Sequence, residues 1–183
     1  MIYELVLIIC AVVVFAVYNI TMVAMYDVPA SLSETFYLLN DERKGYGYFF
    51  TAMMWAVAFL LLPAWIGVSD RLGAWECYCT PISFAAVASI CFVGAAPAFR
   101  NLGMESKVHS VAAKLAAFFA LAWCLVACWR IMYVPIIACV MTLVLGYKTN
   151  TLKLCATYWL ELAAFAATFV TLAVECIWQI LTA

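Results

Sequence analysis

The stretch "TYWLELAAFAATFVTLAVE", residues 157–175, decides the fold of this chain. It is apolar enough to cross a membrane, yet it carries two carboxylates, Glu161 and Glu175. At alternating spacings of four and three residues, polar or small side chains follow one face of the predicted helix: Thr157, Glu161, Ala164, Thr168, Thr171 and Glu175. We call this set the polar stripe. Because the other faces are apolar, the polar stripe must face protein or water rather than lipid.

The two carboxylates lie deep in the predicted span. Each is about 10 Å from the midpoint at Thr168, inside a hydrocarbon half-thickness of about 15 Å. An isolated charge at that depth costs several kcal/mol, so each carboxylate needs a partner or a proton. Lys114, at matching depth in an earlier span, is the predicted partner of Glu161.

This ionic network has two interpretations. Arg71 and Arg130 are the cations predicted to reach toward Glu175 from the same end of the bundle. A buried ion pair could serve only to fix the register of the helices. Alternatively, a set of polar residues forms a ligand or ion pathway: Glu161, Glu175, Lys114, Thr168 and Thr171.

The whole chain has the composition of a membrane protein. Of its 183 residues, 70% are hydrophobic and 10% are charged. We predict an all-α, polytopic integral membrane protein, a single bundle domain over 1–183, with six transmembrane helices at 2–26, 46–68, 77–96, 108–129, 132–147 and 153–181. The fifth span is short, so five spans with one re-entrant segment is the alternative.

Positive charge predicts the orientation. The loops after spans one, three and five carry Arg43, Lys44, Arg100, Lys107, Lys148 and Lys153, whereas the opposite side has Arg71 and Arg130. By the positive-inside rule, the first set faces the cytoplasm and both termini lie on the non-cytoplasmic side of a cytoplasmic (inner) or plasma membrane. The first span has no positive n-region, so we expect it to be a span rather than a removable signal.

Composition also limits the kinds of partner and cofactor that we expect. The net charge of −1 and the absence of a basic, aromatic-rich patch predict no nucleic-acid binding. Cys77 and Cys79 are the cysteines nearest a loop and form the one candidate metal or redox pair. With one histidine and no second loop pair, we predict no metal and no cofactor.

The first loop contains a second candidate site. Ser31 to Glu34 has the form of a capping box, and Leu32 begins the apolar face of a short amphipathic helix at the membrane interface. That helix is either a connector packed on its neighbours or a lid that contacts headgroups. His109, near the start of span four, is either a hydrogen-bonded structural residue or, with Ser33 and Glu34, the chain's one plausible catalytic set.

Three fragments carry a family resemblance: "PASLSE" (29–34), "VGAAPAF" (93–99) and "VHSVAAKLAAFF" (108–119). Together they resemble the six-span DRAM/Sfk-like membrane protein superfamily and related uncharacterised bacterial membrane proteins. That superfamily has a P-x-x-S-[DE] type signature in the first loop and a histidine at the start of a later span. The corresponding positions here are Pro29, Ser33, Glu34 and His109, although three residues separate Pro29 from Ser33 where the signature has two. The resemblance implies a lipid-related or membrane-organising role.

Three functional hypotheses follow. The sequence favours a non-enzymatic protein that binds, senses or organises membrane lipid, with Ser31, Ser33, Glu34 and His109 at an interfacial site. The alternatives are a channel or transporter for protons, ions or a small solute, and an intramembrane lipid-modifying enzyme. Small residues on span four, from Ala112 to Ala120, also permit a homo-oligomer or an accessory subunit of a membrane complex.

Overall fold

The computed structural model describes residues 1–72, 76–97, 104–127 and 131–183, without the side chains of 76, 77 and 127. In this part of the chain all regular secondary structure is helical. The helices are α1 (Ile2–Tyr26), α2 (Glu34–Glu42), α3 (Tyr48–Asp70), α4 (Glu76–Ala95), α5 (Met104–Ala127), α6 (Tyr133–Lys148) and α7 (Ala156–Leu181). The predicted all-α class is confirmed.

Five helices, α1, α3, α4, α5 and α7, are long and apolar enough to cross a membrane. The chain is therefore a polytopic integral membrane protein. At 16 residues, α6 is about 24 Å long, shorter than the ~30 Å hydrocarbon layer. The described helices thus give five to six spans, and α6 is the element on which the number depends.

The five long helices form a closed ring in the order α1, α3, α4, α5, α7, with α7 again beside α1. α6 packs against the outside of α7, and α2 packs against the start of α3. Aromatic side chains fill much of the interior: Phe15 lies 4.5 Å from Phe165, and the fully buried Trp65 and Trp123 meet edge to face at 5.5 Å between ring centroids. Large apolar side chains point outward, as expected where the solvent is lipid.

Two predicted boundaries differ from the structure by three or more residues. α5 begins at Met104, four residues before the predicted start, because the polar segment ahead of the apolar run is helical as well. α7 begins at Ala156 rather than 153. Residues 149–155 form a turn instead, with Asn150 in the left-handed region (φ 56°) and the amides of Thr151 and Leu152 both bonded to the Gly146 carbonyl.

The first loop folds into the end of the bundle. The Ala30 carbonyl accepts from the Tyr158 amide, and the Val28 carbonyl accepts from the Cys155 thiol. The apolar face of α2 is buried together with Leu32 of the preceding loop: Leu32, Phe36 and Leu39 are each less than 10% exposed. α2 is thus packed on its neighbours, as the connector interpretation expects, and contact with headgroups stays a prediction. The loop between α1 and α2 lies against the start of α7.

Candidate functional site

The structure brings Ser33 and His109 together although 76 residues separate them. The Ser33 hydroxyl lies 2.8 Å from His109 Nε2, and both residues are buried. Ser33 stands immediately before α2, and His109 is the sixth residue of α5, about 7.5 Å along that helix. The loop packing described above positions the serine, and the buried face of α5 positions the histidine.

A backbone carbonyl fixes the tautomer of the histidine. His109 Nδ1 lies 2.9 Å from the Ala96 carbonyl oxygen, just beyond the end of α4. Because a carbonyl can only accept, Nδ1 carries the proton. In the neutral ring Nε2 then holds a lone pair, and the Ser33 hydroxyl donates to it.

The two serines of the first loop have different partners. The Ser31 hydroxyl accepts from the Glu34 amide at 3.2 Å, as the capping-box pattern predicted. The Ser33 side chain makes no capping bond to α2, although it directly precedes the helix. Its hydroxyl is directed to His109 instead.

Glu161 has a partner that differs from the prediction. One of its carboxylate oxygens accepts from the Leu32 amide at 2.7 Å, which ties the first loop to α7. Lys114 is exposed and makes no ion pair within the described part of the chain. The predicted pairing of Lys114 with Glu161 is therefore wrong. The two residues match in depth, but Lys114 lies on the outward face of α5.

A narrow, partly enclosed cavity of about 70 Å³ lies beside these groups. Ser33 and Glu161 line one end, and Trp65 and Thr168 line deeper parts. The lining of α3 runs from Phe50 to Trp65, about 22 Å along the helix axis, so the cavity is elongated. The space exists because α5 contributes only small side chains to the wall: Ala113, Ala116, Ala117 and Ala120.

Most of the polar stripe faces the protein interior. Thr168, Thr171 and Glu175 are buried, and Glu161 is partly exposed at the cavity. The exception is Thr157, which is exposed. It lies in the first turn of α7, at the edge of the packed region, so helical spacing alone did not predict its exposure.

Glu175 belongs to a separate polar cluster at the opposite end of the bundle. Gln179 donates to the Glu175 carboxylate at 3.3 Å and accepts from Arg71 at 2.9 Å. Arg71 also forms an ion pair with Glu4 at 2.9 Å. Arg71 thus lies in the Glu175 cluster, as expected, but through Gln179. Arg130, the other predicted cation, and the side chain of Cys77 lie outside the described residues.

Sequence reasoning missed two members of the site. The group that Ala96 contributes is its backbone carbonyl. Any residue type could supply that carbonyl, so the sequence does not indicate it. In the sequence, Trp65 is not distinguishable from an ordinary core residue. In the structure its buried indole N–H has no hydrogen-bond partner in the described part of the chain. A water molecule or a ligand oxygen in the cavity would satisfy such a donor.

The chain matches no protein-family model, no curated protein and no solved structure.

Proposed function

We propose that this membrane protein binds a single lipid, with its polar end at Ser33 and Glu161 and one acyl chain along the elongated cavity. The walls of the cavity, which encloses about 70 Å³ in this structure, have to move apart to admit more than a few methylene groups. The observation that carries the proposal is the polarity of the cavity wall. Ser33 and Glu161 lie together at one end, Thr168 and the Trp65 N–H lie deeper, and the alanines of α5 with Phe50, Met54, Leu61 and Phe165 supply most of the remaining surface. A long apolar slot with a few placed polar groups is typical of a lipid-chain site.

The position of the cavity supports the same occupant. Its polar end lies where the first loop meets the starts of α5 and α7, with Glu161 and His109 each about 7.5 Å into their helices. Glu161 lies about 5 Å inside the boundary of a ~30 Å hydrocarbon layer, so the polar end of a lipid reaches Ser33 and Glu161 only slightly below that boundary.

An ion pathway has less support. Lys114, which the transport hypothesis places beside Glu161, faces outward, and apolar side chains dominate the cavity wall. The resemblance to the DRAM/Sfk-like superfamily stays a prediction. Two of the four positions on which it rests, Ser33 and His109, form the hydrogen bond beside the cavity.

The test is native mass spectrometry of the protein released from lipid nanodiscs. We expect one retained lipid per protein chain. Ala116→Leu places a larger side chain in the cavity wall and should abolish that adduct. The matched control is Ala156→Leu, at an exposed position at the start of α7, which should retain the lipid.

Two results would contradict the proposal. One is a wild-type protein that carries no lipid under conditions in which the helical fold persists. The other is an equal lipid adduct in wild type and Ala116→Leu, because the lipid would then lie outside the cavity.

A further inference from the structure

We propose that Ser33 is a nucleophile activated by His109, and that it accepts an acyl group from an ester- or thioester-linked lipid whose chain occupies the cavity. This inference rests on the proposed lipid binding and adds a covalent step at the same site. Its substrate class is an acyl ester or thioester, because a serine hydroxyl with a neutral imidazole beside it suits acyl transfer.

The geometry meets the requirements for an activated serine. The nucleophile and base are 2.8 Å apart, within the range of 2.6–3.2 Å found for such pairs. A third group, the Ala96 carbonyl, orients the base and leaves the Nε2 lone pair directed at the hydroxyl. Ser33 also lines the cavity, so an acyl carbonyl in that space would lie beside this residue.

The local sequence separates this role from helix capping. A serine just before a helix ordinarily caps it. Here Ser31 bonds the Glu34 amide, and the Ser33 hydroxyl is bonded to His109 at the cavity wall. The first loop thus supplies one serine for structure and a second serine for the histidine.

Acylation of Ser33 needs only the ester or thioester, and the release of the acyl group needs water or an alcohol. The Ser33 oxygen attacks the acyl carbonyl carbon, and its proton passes to His109 Nε2. The bond from that carbon to the leaving oxygen or sulfur breaks, and the leaving group takes the proton from Nε2. A water molecule or an alcohol then attacks the acyl-serine, gives its proton to Nε2, and releases the acyl group as an acid or a new ester while Ser33 recovers its proton.

The surroundings predict slow turnover. The start of the nine-residue helix α2, directly after Ser33, places the positive end of its dipole near the developing oxyanion. However, two nearby amides are already engaged: Leu32 donates to Glu161, and Glu34 donates to Ser31. Since dedicated amide donors usually supply much of the rate enhancement, covalent trapping is a sharper test than turnover.

The experiment uses the full chain in lipid nanodiscs and a long-chain alkyl fluorophosphonate. Attack by Ser33 on phosphorus expels fluoride and leaves a stable adduct, read by intact mass and assigned by peptide sequencing. We expect one adduct per chain, on Ser33. His109→Gln should lower the labelling rate by about 10²-fold or more, the usual contribution of a general base. Ser89→Ala, which removes another buried serine hydroxyl in α4, is the matched control and should label at the wild-type rate.

The outcomes separate the two proposals. Lipid retained by native mass spectrometry without any labelling of the wild-type protein overturns the nucleophile and leaves lipid binding intact. Labelling at a different residue, or equal rates in wild type and a folded His109→Gln, also overturns it. If His109→Gln does not fold, competition decides the matter: a long-chain ester lipid should slow labelling of wild-type Ser33, and no slowing overturns the proposal. Loss of both lipid and labelling contradicts both proposals.

Discussion

Removing the Glu161 carboxylate should loosen the first loop at Leu32, while the Ala30 carbonyl stays bonded to the Tyr158 amide of α7. The carboxylate accepts from the buried Leu32 amide at 2.7 Å, the short end of the range for charge-assisted bonds. Such a bond contributes about 1.5–3 kcal/mol. Glu161→Gln keeps a neutral acceptor, so the bond should be weaker by about 1 kcal/mol. Glu161→Ala leaves the Leu32 amide unpaired, so the loop should lose about 2–3 kcal/mol of stabilisation.

Hydrogen exchange of the Leu32 amide measures this loss directly, because exchange requires local opening. We expect roughly fivefold faster exchange in Glu161→Gln and roughly 30- to 150-fold faster exchange in Glu161→Ala, the free energies above converted at 25 °C. Leu160→Ala, a neighbouring change at a lipid-exposed position, is the control and should leave the amide protected. Wild-type exchange rates in both Glu161 variants would refute the claim that this carboxylate holds the loop.

Two further changes test the packing around the site. Trp123 donates to the buried Ser69 hydroxyl at 2.9 Å, so Trp123→Phe should cost about 1–3 kcal/mol in a detergent unfolding titration. The exposed Trp178→Phe should cost far less, and equal costs would contradict the assignment. Gly146→Ala places a Cβ 2.6 Å from the Trp159 ring and should destabilise the contact between α6 and α7 by about 1–3 kcal/mol. A gain in stability of about 1 kcal/mol, the helix propensity difference, would mean that the rings move aside freely.

The spans were predictable because the rise per residue of an α-helix converts the hydrocarbon thickness into a required length of apolar sequence. The inward face of α7 was predictable for a related reason, since buried carboxylates must be shielded from lipid. The start of α7 was less predictable. Residues 153–155 are as compatible with a helix as with the turn that the Gly146 carbonyl closes.

The partner of Glu161 was missed because matched depth fixes the height of a residue and leaves its direction open. Lys114 follows His109 by five residues, which is about 140° around the helix. When His109 faces the interior, Lys114 must therefore face outward. The true partner, the Leu32 amide, is a backbone group that any residue could supply, so no residue pattern points to it.

The sequence indicated that Ser33 and His109 could belong to one site, but it did not indicate the hydrogen bond between them. Both residues stood out, one beside a capping box and one as the single histidine of the chain. Only the folded loop shows that Ser31 takes the capping role and that Ser33 reaches α5.

Photo-crosslinking with a phospholipid that carries a diazirine at mid-chain tests the central claim most directly. In nanodiscs, the proposed binding predicts stoichiometric adducts within residues 113–120 and 161–168, on side chains that line the cavity. Ala116→Leu should remove these adducts. Adducts confined to outward residues such as Phe118 and Leu160, with none on the cavity wall in the wild-type protein, would contradict lipid binding in the cavity.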